Sequence, residues 1–221
     1  MDRDFMTFEF RVVSDVGTLS SYMGNAPSVR ASSLHLWITG SISASLVPYW
    51  MRWIIETYHG IHISATVSHA ATRFVAPEAV HQIARDTGGW AALDDWDESG
   101  PTGRLSHADI AMAAEAFLVF PGTVNSVMSL ACGLSSTPSM LALQVSEKPL
   151  VIAASFPCMN TVLSSGLEKL NERANVAFSP LVLAKGVSSG KWSELSGLFA
   201  PLVMAELGTL EEELYDGRRS E

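Results

Sequence analysis

Four times in this chain an apolar run empties into a small polar turn and then into a helical pattern. No other feature limits the possible folds as strongly. The runs are Leu34 to Thr39, Ile61 to Val67, Phe117 to Phe120 and Pro149 to Ser155. Their turns read Gly40-Ser41-Ile42-Ser43, Ser68-His69-Ala70-Ala71-Thr72, Pro121-Gly122-Thr123-Val124-Asn125 and Phe156-Pro157-Cys158-Met159-Asn160. Strands alternating with helices argue for a single-domain α/β fold with one doubly wound, mostly parallel, Rossmann-like (flavodoxin-like) sheet. In such a sheet a ligand sits at the carboxyl ends of the strands, where backbone N–H groups and short side chains are free.

Along the chain, residues 1–32 alternate weakly, then turn small and polar, and read as an N-terminal arm or a disordered lead. The domain itself spans 33–207, and residues 208–221 read as a solvated tail whose Glu211, Glu212 and Glu213 form a solvated face. The helical pattern from Ser43 to His59 contains Pro48, which predicts a kink or an irregular first turn. Asp86 to Gly103 is a long loop rich in Gly, Asp and Trp, with Trp90 and Trp96 as loop anchors. A polar turn, Ser106 to Asp109, precedes an amphipathic segment. Further helices are expected within 135–148, from Asn160 to about Ala174, and from Trp192 to Leu207. A short strand is expected at 175–178 and a loop at 180–191.

The totals exclude several classes. Fourteen basic against twenty-three acidic residues give a net charge of −9, which argues against nucleic acid as a partner. No apolar run is long enough to span a bilayer, and the first residues lack the pattern of a secretory signal. Charged residues are only 17% of the chain, in keeping with self-association or with a large core. Cys132 and Cys158 both lie in apolar sequence, so free thiols and a cytoplasmic location are expected. The six histidines show no H-E-x-x-H pattern and the cysteines no ligand spacing, so no metal site is expected.

Four polar strand ends, with neither a P-loop nor a G-x-G-x-x-G, point to a phosphate-bearing aromatic cofactor held in another way. Gly40 allows a close turn, while Ser41, Ser43 and free N–H groups suit an anion.

The turns also carry a resemblance. Pro121 and Asn125 in PGTVNS, Pro157, Met159 and Asn160 in PCMN, and His107 ahead of the third strand resemble the motifs of the homo-oligomeric flavin-containing cysteine decarboxylases. That family includes phosphopantothenoylcysteine decarboxylase and enzymes acting on a C-terminal cysteine of ribosomally made peptides. TGSIS and SHAATRF resemble its two flavin-phosphate loops. The likeness covers roughly residues 34–192, but Leu163 and Ser164 stand where the family's third motif continues with Met-Trp.

The resemblance implies FMN, with FAD the alternative, held by Gly40, Ser41, Ser43, Ser68, Thr72, Pro121, Thr123 and Asn125. It implies His107 as catalytic base and Asn160 as the group that binds the substrate carboxylate or orients its thiol. Asn125, Met159, Ser188 and Ser189 would contact substrate, the two serines within a peptide clamp at 187–192. No cysteine follows Asn160, although the coenzyme A branch needs one there, so a precursor peptide with a free C-terminal cysteine is the expected substrate. The implied reaction removes a hydride from Cβ and a proton from the thiol. The resulting C=S group accepts electrons as CO2 leaves, and an enethiol remains. Trimers, or assemblies of trimers up to dodecamers, are the implied oligomers. A phosphopantothenoylcysteine decarboxylase, a flavin prenyltransferase of related fold, and an inactive flavin-binding regulatory subunit are the alternative readings.

Each residue also has a plainer role. His107 fits an N-terminal capping neighbour, Asn125, Asn160, Ser41 and Ser43 fit helix caps, and Cys158 fits a buried inert thiol.

Overall fold

The computed structural model describes residues 10–13, 21, 26–156, 159–185, 192–196 and 198–217. In chain order the strands and α-helices are β1 (Val12–Val13), β2 (Ser33–Ile38), α1 (Val47–Thr57), β3 (His62–Val67), α2 (Pro77–Arg85), β4 (Ala91–Leu93), β5 (Ser99–Gly100), β6 (Gly103–Arg104) and α3 (His107–Ala113). There follow β7 (Ala116–Thr123), α4 (Val124–Ala131), α5 (Pro138–Val145), β8 (Leu150–Phe156), α6 (Thr161–Asn171), β9 (Val176–Phe178), β10 (Leu181–Lys185), β11 (Trp192–Ser196) and α7 (Ala200–Tyr215).

Six parallel strands form the centre in the order β4-β3-β2-β7-β8-β9. Numbered within that set the order is 3-2-1-4-5-6, the doubly wound arrangement in which the direction of strand addition reverses between β2 and β7. The α/β fold with a mostly parallel sheet is therefore as expected. Alternation along β2 shows how the faces are filled. Leu34, Leu36 and Ile38 enter one apolar cluster with Met51 and Ile54 of α1 and Val203, Met204 and Leu207 of α7. Trp37 enters the other cluster, with Phe117, Val119, Ile110 of α3 and Leu143 of α5.

Pro48 causes no kink. A 3-10 turn at Ile42–Leu46 precedes α1, and the proline falls in that helix's first turn, where its missing N–H has no partner to lose. The long loop hides β4, a three-residue edge strand paired with β3. Trp96 anchors this loop, its Nε1 donating to Ser136 O at 2.8 Å, and Trp90 packs on the His35 ring.

The C-terminal third departs most from expectation. Instead of a loop at 180–191, β10 begins at Leu181. Instead of a helix from Trp192, β11 spans Trp192–Ser196, runs antiparallel to β10, and joins β8 at Leu195↔Phe156 and Ser196↔Ser155. The helix begins only at Ala200, with Pro201 in its first turn. It continues to Tyr215, through most of the segment expected to be a solvated tail. Glu211 is buried and accepts from the N–H groups of Arg30 (2.6 Å) and Ala31 (2.9 Å), so it belongs to no solvated face. Those bonds, and Tyr58 Oη donating to Pro27 O, tie residues 27–31 to the domain. Val12–Val13 pairs with β10, and Phe10 packs edge-on to Phe156 and Phe178, so the described part of the arm is docked. Cys132 is free but exposed, contrary to its apolar sequence neighbours, while Cys158 lies outside the described residues.

Candidate functional site

The reversal between β2 and β7 opens a cleft of about 710 Å³ at the carboxyl ends of the strands. It is lined from four strand ends: Trp37 on β2 with Gly40 and Ser41 after it, Ser68 and His69 after β3, Asp94 after β4, and Ser155 on β8. Thr123 to Ser126 add the start of α4, and Ser136, Thr137 and Met140 the start of α5.

Of the residues expected to hold a cofactor, Gly40, Ser41, Ser68, Thr123 and Asn125 converge here. Gly40 is required by a neighbouring loop: a Cβ there would collide with Ala70 Cβ and its carbonyl carbon, so the turns after β2 and β3 touch only because Gly40 has no side chain. Ser41 caps the 3-10 turn through Ser43 N at 3.3 Å and meets Ser155 Oγ at 3.0 Å. Thr39 locks the end of β2 to the end of β7, its Oγ1 donating to Pro121 O at 2.6 Å and accepting from Thr123 N at 2.9 Å. Thr123 is the N-cap of α4 but makes no side-chain cap bond, which leaves the first-turn N–H groups of that helix available to an anion.

Other expected residues lie elsewhere. Ser43 and Pro121 are not among the residues that line the cleft. Thr72 is exposed and donates to His69 O at 2.8 Å, so its hydroxyl serves its own turn. His107 is half-buried at the first position of α3 and does not line the cleft. Capping of that helix falls to Ser106 and Asp109, which form a reciprocal capping box. Asn160 caps α6, its Oδ1 accepting from Leu163 N at 3.0 Å, and with Met159 it stands outside the cleft lining. Ser188 and Ser189 lie outside the described residues.

A buried polar chain behind the cleft was not foreseen. Ser64 Oγ donates to Leu34 O and so accepts from His35 Nδ1 at 2.9 Å. His35 Nε2 is then the acceptor of Thr66 Oγ1 at 3.0 Å, and Thr66 accepts from Ser139 Oγ at 2.6 Å. Burial holds His35 neutral by pushing its pKa down to about 3, in agreement with that tautomer. The chain ends at Asp94, whose Oδ1 accepts from Ser139 N at 3.0 Å. Burial pushes the Asp94 carboxyl up, against hydrogen bonds from Ser139, Thr137 and Trp37 that hold it down. The Trp37 contact is not of ordinary hydrogen-bond geometry, and Asp94 Oδ2 and Trp37 Nε1 are both left without a conventional partner. On the exposed rim, His69 Nε2 pairs with Asp95 Oδ2 at 2.8 Å. The alternation His35/Trp37 against Ser64/Thr66 on adjacent strands was the one available sequence signal for this chain. Asp94 had none, because β4 is so short.

Among the described residues no cluster of three or more potential ligands could hold a metal ion, and no helix is long and apolar enough to cross a membrane.

Known proteins match this arrangement. The flavoprotein family model matches residues 25–204. A cypemycin cysteine dehydrogenase (decarboxylating) from a Streptomyces species is 34% identical over 193 residues, covering 87% of this chain and 99% of the relative. The crystal structure of the cypemycin decarboxylase CypD matches with a TM-score of 0.70 at 33% identity, covering 86% of this chain and 98% of that one. The FMN-dependent cysteine decarboxylase SpaF shares the fold with a TM-score of 0.65 at 19% identity, covering 81% of this chain and 97% of that one. A switch-point cleft lined with short hydroxyl side chains, in a chain matched by that family model over most of its length, belongs to a member of the flavoprotein family.

Proposed function

We propose that the protein is an FMN-dependent decarboxylase acting on the C-terminal cysteine of a precursor peptide. The observation that carries this reading is the 34% identity to the cypemycin enzyme across 99% of that relative's length. The cleft fits the cofactor chemically. Ser41, Ser68 and the uncapped start of α4 supply donors for a phosphate, while Trp37 and Met140 supply apolar wall for an aromatic ring. FMN is the cofactor named for the similarly folded SpaF and is the form we assign. When bound, the flavin supplies a two-electron acceptor, later reoxidised by dioxygen.

The chain's own residues then have limited tasks. Gly40, Ser41, Ser68, Thr123 and Asn125 hold and orient the cofactor, and Asn125 presents its amide to the open side. His107 removes the thiol proton, and Asn160 holds the substrate carboxylate, with Met159, Ser188 and Ser189 beside it. Because His107 and Asn160 do not line the cleft, they act where a second copy of the chain brings them to its mouth. This is the role we assign to a homotrimer and to its assembly into a dodecamer in the cytoplasm. The products are an enethiol peptide and CO2, and two hydrogens pass to the cofactor.

The test is the visible spectrum of the purified protein, mass spectrometry of the heat-released chromophore, and assays on peptides ending in a free cysteine. Flavin bands, FMN by mass and peptide loss of CO2 plus two hydrogens are expected. A colourless protein that also fails to take up added flavin would sink the reading. His107→Asn should lower turnover by about 10²–10⁴-fold while flavin stays bound; unchanged turnover would remove His107 as the base.

A further inference from the structure

The first turn of α3, which carries His107, is held from outside its own helix. Ser106 and Asp109 flank His107 and form the capping box, and a capping box needs only those two residues. Asp109 has a third partner. Its Oδ2 accepts from Ser106 N at 3.0 Å and from Ser106 Oγ at 2.7 Å, while its Oδ1 accepts from Thr102 Oγ1 at 2.6 Å. The bond from Thr102, and after it those from Ser106, hold the buried Asp109 carboxyl below the usual carboxylate range, so it stays a pure acceptor at neutral pH. Thr102 lies in the turn of the β5–β6 hairpin, which is itself fixed. The two strands pair at Ser99↔Arg104, and Leu105 N donates to Glu98 O at 2.8 Å. Gly100 lies so near that a Cβ on it would stand 2.8 Å from Leu105 Cα, and Leu105 is buried in the same apolar cluster as Ile110 of α3. The segment entering the hairpin is anchored at the cleft, where Trp96 Nε1 donates to O of Ser136, a lining residue. One strip of chain thus runs from the cleft wall to His107.

We propose that Thr102 is a positioning residue for His107, acting through Asp109 to fix the first turn of α3. This role rests on the reading of His107 as the base. Thr102 itself handles no proton of the reaction; its hydroxyl is spent on Asp109. Position matters because a general base must come within hydrogen-bond reach of the proton it takes, and a misplacement of about 1 Å can cost about 10²-fold in rate. Without the Thr102 hydroxyl the capping box still starts the helix. The turn is then tied to its own helix but no longer to the hairpin, so it is looser, not lost.

Thr102→Val removes the hydroxyl and keeps the shape, and Thr102→Ser restores the hydroxyl. Thr102 is exposed, so neither change touches the core, and a circular-dichroism melt checks that the fold is kept. Both variants are assayed as flavin-loaded protein on a peptide ending in a free cysteine, beside the unsubstituted protein and His107→Asn, and FMN affinity is measured by fluorescence quenching. We expect Thr102→Val to lower kcat by about 3- to 30-fold with the KM for peptide and the affinity for FMN unchanged, and Thr102→Ser to recover kcat to within about twofold. In a His107→Asn background Thr102→Val should cause no further loss, because the two residues act as one unit. A purely structural role would lower the melting temperature and leave kcat alone. Unchanged kcat in Thr102→Val, a loss that Thr102→Ser does not recover, or the same loss in the His107→Asn background would overturn the positioning role while His107 stays the base. Full turnover in His107→Asn would overturn the reading of His107 and the role of Thr102 together.

Discussion

The two ends of the sheet carry clefts of similar volume, about 710 Å³ at the carboxyl ends and about 680 Å³ at the amino ends of β7 and β8. Size does not separate them. The second is lined by Ala111, Met112, Val145, Lys148 and Tyr215, with Met112 and Tyr215 largely exposed. Helix C-termini point there, and their carbonyls are already engaged. Lys148 Nζ donates to Ala111 O and Ala114 O, both at 2.7 Å, while Arg173 reaches Leu143 O and Ser146 O. At the carboxyl ends the opposite holds: α4 starts without a side-chain cap, and its first N–H groups face the cleft lined by Thr123 to Ser126. In one sheet, chain direction therefore makes one end a place where polar groups wait for a ligand and the other a place where they satisfy each other.

If that contrast is right, substitutions at the carboxyl ends change binding and those at the amino ends change stability. Ser41→Asp should have the largest effect. The new carboxylate can still cap the turn, but about 4 Å from a phosphate it costs about 4 kcal/mol at an effective dielectric of 20, two to three orders of magnitude in Kd. Titration should show FMN weakened far more than riboflavin; equal losses would place the phosphate elsewhere.

Glu211→Ala, at the amino side, should lower unfolding free energy by about 2–4 kcal/mol. It strands the buried N–H of Ala31 and the part-buried N–H of Arg30, while the affinity of the folded protein for flavin stays the same. Denaturant melts with and without flavin check both halves of that statement.

Acidification gives a smaller effect with a definite sign. His35 has a pKa of about 3 when folded, against an ordinary 6.5, so below 6.5 the unfolded chain takes up a proton that the folded chain refuses. Stability is lost as pH falls from 6.5 toward 3, by at most about 1.4 kcal/mol per pH unit from this group. The difference between the unsubstituted protein and His35→Gln across that range isolates the term, and parallel pH profiles would refute it. The smallest effect is expected for Met112→Ser in the amino-end cleft, within about 0.5 kcal/mol in stability and without change in flavin binding.

Much of the architecture was legible in the chain because its signals are local. Four apolar runs stopped by small polar turns identify β2, β3, β7 and β8, and the turns themselves contain Gly40, Ser41, Ser68, Thr123 and Asn125, which line the cleft. Where local signals were weak, the reading failed. WSELS reads as the start of a helix but forms β11, because an edge of β8 and the strand β10 are there to pair with it. The acidic run after Leu210 reads as solvated, yet Glu211 is buried because two N–H groups from residues 30 and 31 meet it.

The sequence by itself determined the strand–turn–helix repeat, the apolar faces and the identity of the small polar turns. Each follows from steric and hydrophobic preferences acting over a few residues. Tertiary structure alone decided that Asp94, Ser139, Thr66 and His35 form one chain, that Trp37 faces the cleft, and that His107 and Asn160 stand outside its lining. Those relations join residues far apart in the chain, and what selects them is the cost of leaving a buried donor or acceptor unpaired, which exists only once the core has closed.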